Sequence, residues 1–216
     1  NTDATWEMRS FIDDTISNVK EITGDKKVVL GLSGGVDSSV LAVLLNKALG
    51  HNLTCIFVDN GLLRKNEADK VEDTFKANFN MNFIRVDESK EFLDALKNVE
   101  NPEEKRKIIG RIFLDVFNKH AKGFDFLAQG TLYPDVIESV NVKGPSDTIK
   151  THHNRVEGVL DLIKEGKVIE PFKELFKDEV REIGRQFGLP SEIINRHPFP
   201  GPGLAIRILG PVTEDS

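Results

Sequence analysis

The stretch Ser33-Gly34-Gly35-Val36-Asp37-Ser38-Ser39 is the most informative feature of this 216-residue chain. It follows the apolar run from Val28 to Leu32, which predicts a buried strand. It precedes the apolar repeat from Val40 to Leu49, which predicts an amphipathic helix ending at Gly50. In the turn between them, two glycines let the backbone approach a ligand, three serines offer hydroxyls, and the helix N-terminus offers N–H groups. Such a turn suits the phosphates of a nucleotide.

The turn matches neither of the two common phosphate-binding motifs. No Gly-Lys-[Ser/Thr] follows it, which excludes a Walker A loop, and it lacks the Gly-x-Gly-x-x-Gly of dinucleotide-binding folds. The order Ser-Gly-Gly-Val-Asp-Ser-Ser resembles the signature of the ATP pyrophosphatases, which cleave ATP between its α and β phosphates. In that family the loop holds pyrophosphate. A glycine-rich turn that binds nothing is the alternative.

The composition of the chain argues against several classes of protein. Lys and Arg number 29 against 35 Asp and Glu, and the net charge of −6 disfavours a nucleic-acid-binding surface. The hydropathy pattern predicts neither a membrane span nor a signal peptide. The single cysteine, Cys55, lies in the apolar run from Leu53 to Val58, so we interpret it as a buried strand residue rather than a nucleophile. We therefore expect a cytoplasmic small-molecule enzyme built on one large domain.

Apolar runs that predict strands alternate along the chain with repeats that predict helices. This alternation predicts an α/β fold, a doubly wound parallel sheet with helices on both faces, whose ligands bind beyond the carboxyl ends of the strands. The predicted strands are Val28 to Leu32, Leu53 to Val58, Phe83 to Val86, Phe124 to Ala128 and Lys167 to Ile169. The predicted helices are Trp6 to Ile22, Val40 to Leu49, Lys65 to Ala77, Lys90 to Leu96, Pro102 to about Phe117, and Leu175 to Phe187.

Two motifs directly follow predicted strands and would therefore lie at the ligand-binding edge of the sheet. Val58-Asp59-Asn60-Gly61-Leu62-Leu63-Arg64 follows the second strand, although its spacing alone favours a plain turn. The segment from Gln129 to Ser139 follows the fourth strand and sets Asp135 and Glu138 three residues apart. If a helical turn begins at Pro134, both carboxylates share one face and could hold Mg²⁺. Helix-capping acids are the equal alternative.

Three later segments are also candidates for function. The polar segment Ile149-Lys150-Thr151-His152-His153-Asn154 is interpreted as a lid loop, and its adjacent histidines lack the third ligand of a zinc site. Lys173 and Lys177 stand four apart at the start of the last predicted helix, where cations oppose the helix dipole unless they face phosphates. A solvated face with Lys177 paired to Glu174 is the alternative. The segment from Arg196 to Leu204 is predicted to be rigid and extended, because its prolines preclude a helix.

Taken in order from Ser33 to Leu204, these segments resemble the ATP-pyrophosphatase domain of the glutamine-hydrolysing GMP synthetases, within the PP-loop, adenine nucleotide alpha-hydrolase-like superfamily. The loop alone would also fit NAD, argininosuccinate or asparagine synthetases or transfer-RNA thiolases. The Lys-Thr-His-His-Asn and His-Pro-Phe-Pro-Gly-Pro-Gly-Leu segments narrow the resemblance to one family. It implies that ATP, with Mg²⁺, adenylates the O2 of xanthosine 5′-monophosphate (XMP), and that ammonia then displaces AMP to give GMP.

The resemblance also implies roles for individual residues. The ATP-binding residues would be Gly31, Leu32, Ser33, Gly34, Gly35, Val36, Asp37, Ser38, Ser39 and Val58. The catalytic residues would be Asp37, Asp135, Glu138, Lys150, Lys173 and Lys177, with Asp37 and Asp135 near the metal. The substrate-binding residues would be His152 and His153 on the lid and, on charge alone, Arg64 and Arg207.

Further parts and partners are expected from the same resemblance. Residues 1–24 would form an entry helix from a preceding domain, 25–195 the ATP-pyrophosphatase domain, and 196–216 a linker toward a C-terminal dimerisation domain outside this truncated core. A glutamine amidotransferase domain or subunit would supply ammonia, and the full-length enzyme would be a homodimer that binds neither nucleic acid nor membrane. Two rival hypotheses stay open: a regulatory module that binds ATP without turnover, and a related ligase, chiefly NAD synthetase.

Overall fold

Five parallel strands form one sheet in the computed structural model, which describes residues 2–141, 159–196 and 201–212. The strands are β1 (Val28–Gly31), β2 (Leu53–Asp59), β3 (Phe83–Asp87), β4 (Phe126–Ala128) and β5 (Val168–Ile169). Their order across the sheet is β3-β2-β1-β4-β5, with every neighbouring pair parallel. The chain winds outward in one direction from β1 to β3 and in the other from β4 to β5, so a crevice opens between the carboxyl ends of β1 and β4. The predicted doubly wound parallel sheet is confirmed.

The helices of the described ranges connect these strands. They are α1 (Thr2–Thr23), α2 (Val36–Leu49), α3 (Glu67–Phe79), α4 (Ser89–Leu96), α5 (Pro102–His120), α6 (Tyr133–Asn141), α7 (Val159–Lys164), α8 (Lys177–Gln186) and α9 (Ser191–Ile194). Local sequence sets their ends; for example, Asn101 caps α5 by accepting from two backbone N–H groups, and Pro102 occupies its first position. None of these helices is long and apolar enough to cross a membrane.

Side chains of the central strands alternate between two hydrophobic cores, one on each face of the sheet. In β1, Leu30 packs into the core that also takes residues of α2, whereas Val29 packs into the core formed with α5. In β2, Cys55 lies on the α2 side and is fully buried. Burial raises the pKa of the Cys55 thiol to about 12, so the interpretation of this residue as a buried strand cysteine is confirmed.

Several helices begin one to four residues from the predicted start, and two of these differences affect the candidate site. Helix α2 begins at Val36 rather than Val40, because the N–H of Ser39 already donates to the carbonyl of Gly35 (3.1 Å). The second half of the glycine-rich motif therefore forms the first turn of the helix. Helix α8 begins at Lys177, and Lys173 lies in a separate turn before it. The prediction that both lysines stand on one helix is wrong.

The C-terminal segment also differs from its prediction. Gly203–Arg207 forms a 3-10 helix rather than an extended strap, since Pro202 has a ψ of 4° and Gly203 a left-handed φ of +75°. A Cβ on Gly203 would lie 2.5 Å from the carbonyl oxygen of Leu62, and the N–H of Leu204 donates to that same oxygen (2.8 Å). The segment therefore packs on the loop after β2. Residues 197–200 of the predicted strap and the whole predicted lid, 149–154, lie outside the described residues.

Candidate functional site

The glycine-rich loop lies at the crevice between β1 and β4. Leu32 to Gly35 follow β1 directly, and the next segment along the crevice, Gln129 and Gly130, follows β4. A Cβ on Gly130 would be 3.6 Å from the backbone nitrogen of Ser38, so the chain after β4 passes close to the first turn of α2. The loop and the helix N-terminus thus face the position where ligands bind in this class of sheet.

Hydrogen bonds between serines hold the loop in a closed shape. The hydroxyls of Ser33 and Ser38 lie 2.9 Å apart, and the Ser38 hydroxyl also accepts from the N–H of Ser33 (3.2 Å). The N–H of Gly35 donates to the Ser33 hydroxyl (3.3 Å), while Gly34 adopts a left-handed φ of +71° that permits the tight turn. The loop thus holds its N–H groups and hydroxyls close together in one turn at a helix N-terminus, a kind of site that can bind a phosphate group.

Asp37 and Lys177, which stand 140 positions apart in the sequence, meet beside the loop. The Lys177 ammonium lies 3.2 Å from Oδ2 of Asp37, and the two side chains are 41% and 27% exposed. A pair this open to solvent contributes only about 0–1 kcal/mol to stability. Among the described residues the partner of Lys177 is therefore the acid of the loop, not Glu174. The contact brings one of the two predicted lysines to the predicted phosphate site.

The other carboxylate oxygen of Asp37 lacks a partner in the described part of the chain. Oδ1 is buried and accepts no hydrogen bond there, a state that costs about 1–3 kcal/mol if nothing else satisfies it. A hard divalent cation such as Mg²⁺ prefers carboxylate oxygens and keeps several waters and phosphate oxygens as its other ligands. Asp37 therefore fits a Mg²⁺ ligand. Across residues 2–141, 159–196 and 201–212, no group of three or more His, Cys, Asp or Glu side chains could hold a metal by itself.

Two residues without a predicted role complete the support of the loop. Arg196 donates from Nη1 to the carbonyl oxygen of Gly34 (2.8 Å) and from Nη2 to Oε1 of Glu67. The side chains of Arg196 and Glu67 are only 15% and 6% exposed. Nothing in the spacing of the sequence relates positions 34, 67 and 196. The one available signal was a pair of opposite charges, one in the first turn of α3 and the other just before the proline-rich segment.

The segment after β4 forms a helix, α6, so the helical turn on which a shared face for Asp135 and Glu138 depends is present. It contacts the segment between Lys173 and Lys177. The N–H of Tyr133 donates to the carbonyl of Leu175 (3.0 Å), and the Tyr133 ring packs edge-on against Phe176, with ring centroids 5.3 Å apart. Asp135 is exposed, and its Oδ2 accepts from the N–H of Leu132 (3.0 Å). That contact is helix capping, the alternative to a metal ligand. Glu138 lies in the same helix, three positions on.

The Asp-Asn-Gly segment after β2 forms a turn supported by its own side chains. Oδ1 of Asp59 accepts from the N–H of Gly61 (3.1 Å), and Oδ1 of Asn60 accepts from the N–H of Leu62 (2.9 Å). Oδ2 of Asp59 accepts from Nη2 of Arg85 (2.7 Å), and the hydrogen bonds of Arg85 to Asp69 and to Asp59 raise the pKa of its guanidinium. The side chains of Asp59 and Asn60 thus stabilise the turn, and a plain turn is the structure that the spacing alone favours.

The remaining predicted site residues are either buried in the cores, exposed on the surface, or outside the described residues. Leu32 and Val58 are buried in the two cores, so a nucleotide would contact their backbone edge rather than their side chains. Lys173 is exposed in the turn before α8. Arg64 and Arg207 are exposed on the two segments that meet at Leu62. Lys150, His152 and His153 lie outside the described residues.

The chain resembles known proteins in sequence and in fold. The family model described as NAD synthase matches residues 7–132. The GMP synthase [glutamine-hydrolyzing] of Fusobacterium nucleatum is 57% identical over 213 residues, covering 97% of this chain and 41% of that protein. The corresponding protein of Christiangramia forsetii is 59% identical over 217 residues, covering 99% of this chain and 42% of its own length. The predicted resemblance to this family of GMP synthases is confirmed.

The chain matches only part of each GMP synthase, and it also resembles solved structures in fold. The chain spans about two fifths of the length of the GMP synthases that it matches. Among solved structures, the NMN synthetase of Francisella tularensis superimposes with a TM-score of 0.65 at 16% identity, over 91% of this chain and 77% of that one. At that identity the likeness supports the fold alone.

Proposed function

The chain belongs to the NAD synthase family, and from this premise we propose that it is the ATP-pyrophosphatase unit of a glutamine-hydrolysing GMP synthase. In the proposed first step, O2 of XMP attacks the α-phosphorus of ATP and pyrophosphate leaves. In the second, ammonia attacks C2 of the purine, the C2–O2 bond breaks, and AMP departs with O2 to leave GMP. The identities of 57% and 59% to GMP synthases over nearly the whole chain support this substrate over those of related ligases.

One observation carries the proposal: the contact between Asp37 and Lys177 beside the serine-rich loop (3.2 Å). A partly exposed ion pair contributes little to folding, yet here it places a cation and an unsatisfied carboxylate oxygen beside a set of phosphate donors. A cation positioned for the leaving pyrophosphate and an acid positioned for a divalent ion are the groups that adenylation needs. A turn without a ligand would need neither.

Each part of the site has a proposed task. Loop N–H groups and hydroxyls from Ser33 to Ser39 would bind the phosphates that leave as pyrophosphate. Lys177, freed from Asp37 when nucleotide enters, would neutralise the charge that develops on them, and Lys173 would assist from the adjacent turn. Asp37 would hold Mg²⁺, with Asp135 and Glu138 contributing from α6. When bound, Mg²⁺ would neutralise phosphate charge.

Other parts of the proposal rest on the similarity to glutamine-hydrolysing GMP synthases. Lys150, His152 and His153 would close over the site, so that ammonia rather than water reaches the adenylated base. Arg64 and Arg207 would contact the XMP phosphate from their neighbouring segments. We further propose that a glutamine amidotransferase unit supplies the ammonia, that the enzyme is a cytoplasmic homodimer, and that residues 25–195 form its ATP-pyrophosphatase domain between an entry helix and a linker.

A second candidate function is NAD synthesis, which the family model at residues 7–132 favours. The two are distinguished by incubating the full-length protein with ATP, Mg²⁺ and ammonium together with XMP or deamido-NAD. We expect AMP and pyrophosphate to form in equal amounts with XMP and only trace amounts with deamido-NAD. Turnover with deamido-NAD alone would identify the second function, and ATP binding without AMP formation in either mixture would identify a regulatory module.

A further inference from the structure

An ion pair between Glu67 and Arg196 contacts the loop from Ser33 to Ser39, although both residues are distant from that loop in the sequence. Arg196 reaches back 162 positions to donate to the carbonyl oxygen of Gly34 (2.8 Å), and its second terminal nitrogen contacts Oε1 of Glu67. We propose that Glu67 and Arg196 are positioning residues that hold the Gly34–Gly35 peptide in the orientation that binds phosphate. This inference rests on the proposed function of the loop.

Both carboxylate oxygens of Glu67 have partners within the protein, and one of these partners is Arg196. Oε2 of Glu67 accepts from the N–H of Arg64 (3.1 Å), and Oε1 takes the guanidinium. With 6% of its side chain exposed, Glu67 is in no position to act as a metal ligand as well. The planar fork of the guanidinium joins the two partners: Nη2 contacts Glu67, and Nη1 donates to the carbonyl oxygen of Gly34.

The bond to Gly34 controls the neighbouring N–H group. In a trans peptide the carbonyl and the following N–H point in opposite directions. Because Arg196 takes the Gly34 carbonyl, the N–H of Gly35 is directed to the other side, where it meets the Ser33 hydroxyl (3.3 Å) and the closed part of the loop. Two consecutive glycines would otherwise allow this peptide to rotate at little cost. The ion pair thus fixes the orientation of one peptide in the loop that we propose binds phosphate.

A purely structural role makes a different prediction from a positioning role. If the pair only joined α3 to the segment after α9, its loss would lower stability and weaken all ligands alike. If it orients the loop, its loss will weaken ligands that carry a diphosphate and leave a nucleoside unaffected. Lysine cannot replace Arg196 fully, because one ammonium lacks the fixed fork that joins Gly34 and Glu67.

The test measures binding of inorganic pyrophosphate, Mg²⁺-ATP and adenosine to the full-length protein by calorimetry. The variants are Arg196→Met, Arg196→Lys and the milder Glu67→Gln, and the control is Arg185→Met, which breaks an exposed pair with Glu182 on α8. We expect Arg196→Met and Glu67→Gln to weaken pyrophosphate and ATP roughly tenfold to a hundredfold. Arg196→Lys should recover part of that loss, while adenosine binding and the control stay at the parent level.

Two results would overturn the inference. One is parent-like pyrophosphate affinity in a folded Arg196 or Glu67 variant. The other is an equal loss for pyrophosphate and adenosine together with a lower melting temperature, which would indicate a structural pair. If Arg196→Met does not fold, Glu67→Gln and Arg196→Lys decide between these outcomes. A parent protein that binds neither pyrophosphate nor ATP would instead refute the proposed function of the loop.

Discussion

Lys177 is the residue on which the proposed chemistry depends most. We expect Lys177→Gln to slow adenylation by roughly tenfold to a hundredfold, since a charge-assisted bond to phosphate contributes ~1.5–3 kcal/mol. Its melting temperature should barely change, because the contact with Asp37 is partly exposed. Lys164→Gln, which removes an exposed lysine on α7, is the matched control for loss of a surface charge. Adenylation at the parent rate in Lys177→Gln would assign Lys177 to the surface.

Asp37 provides a second test in which activity should fall while stability is maintained. Asp37→Ala should abolish pyrophosphate release, because it removes the carboxylate proposed for Mg²⁺. It should leave the free energy of unfolding unchanged or slightly higher, since a buried oxygen without a hydrogen bond in the described structure disappears with it. Pyrophosphate release and urea unfolding of the same preparation measure the two quantities. Normal turnover, or a large drop in stability, would contradict this assignment.

The buried thiol of Cys55 should make the free energy of unfolding depend on pH. Its pKa is raised from the ordinary 9.0 to about 12 by burial, so above pH 9 the unfolded chain loses a proton that the folded chain keeps. The free energy of unfolding should therefore fall between pH 9 and 12, by at most about 1.4 kcal/mol per pH unit from this group. Cys55→Ala lacks this contribution, so its stability deficit should shrink from pH 8 to pH 10. A constant deficit would show that the thiol does not titrate in this way.

Among the helices and strands, the sequence pattern predicts the positions of the buried strands and long helices well. It predicts the first turns of the helices less well. Val28 to Leu32 and Leu53 to Val58 match β1 and β2 closely because an apolar run between turns has few alternatives. The start of α2 was missed, because Ser38 and Ser39 are polar and carry no helical periodicity. The start of α8 was missed because the apolar Leu175 and Phe176 continue the helical pattern backward, whereas their backbone forms a turn.

The C-terminal segment is anchored by one lysine that the helical pattern does not distinguish. Lys105 of α5 is fully buried, and its ammonium donates to the carbonyls of Ala205 (3.2 Å), Ile208 (2.9 Å) and Gly210 (2.6 Å). We expect Lys105→Met to lower stability by several kcal/mol, at about 1–3 kcal/mol for each carbonyl left without a donor. Amide exchange should become faster in residues 203–210. Lys107→Met, on the exposed side of the same helix, is the control, and equal exchange in both variants would contradict the anchoring role.

At the scale of the whole molecule, the topology was predictable and the long-range contacts were not. Alternating strands and helices restrict the chain to a parallel sheet, and the loop after β1 then has to lie at its carboxyl edge. The contacts of Asp37 with Lys177 and of Gly34 with Arg196 join positions 140 and 162 residues apart. They depend on how α2, α8 and the segment after α9 pack, which no local pattern records. The position of Lys177 at a helix start and the family resemblance both indicate a role for that residue, whereas neither indicates one for Arg196.

Our main claim is that O2 of XMP attacks the α-phosphorus of ATP while the loop from Ser33 to Ser39 holds the ATP. The most direct measurement supplies the full-length protein with XMP labelled with ¹⁸O at O2, together with ATP, Mg²⁺ and ammonium, and analyses the products by mass spectrometry. We predict that the label appears in AMP, one atom for each GMP formed, because the C2–O2 bond breaks when ammonia enters. Unlabelled AMP alongside GMP, or label in pyrophosphate, would contradict the claim.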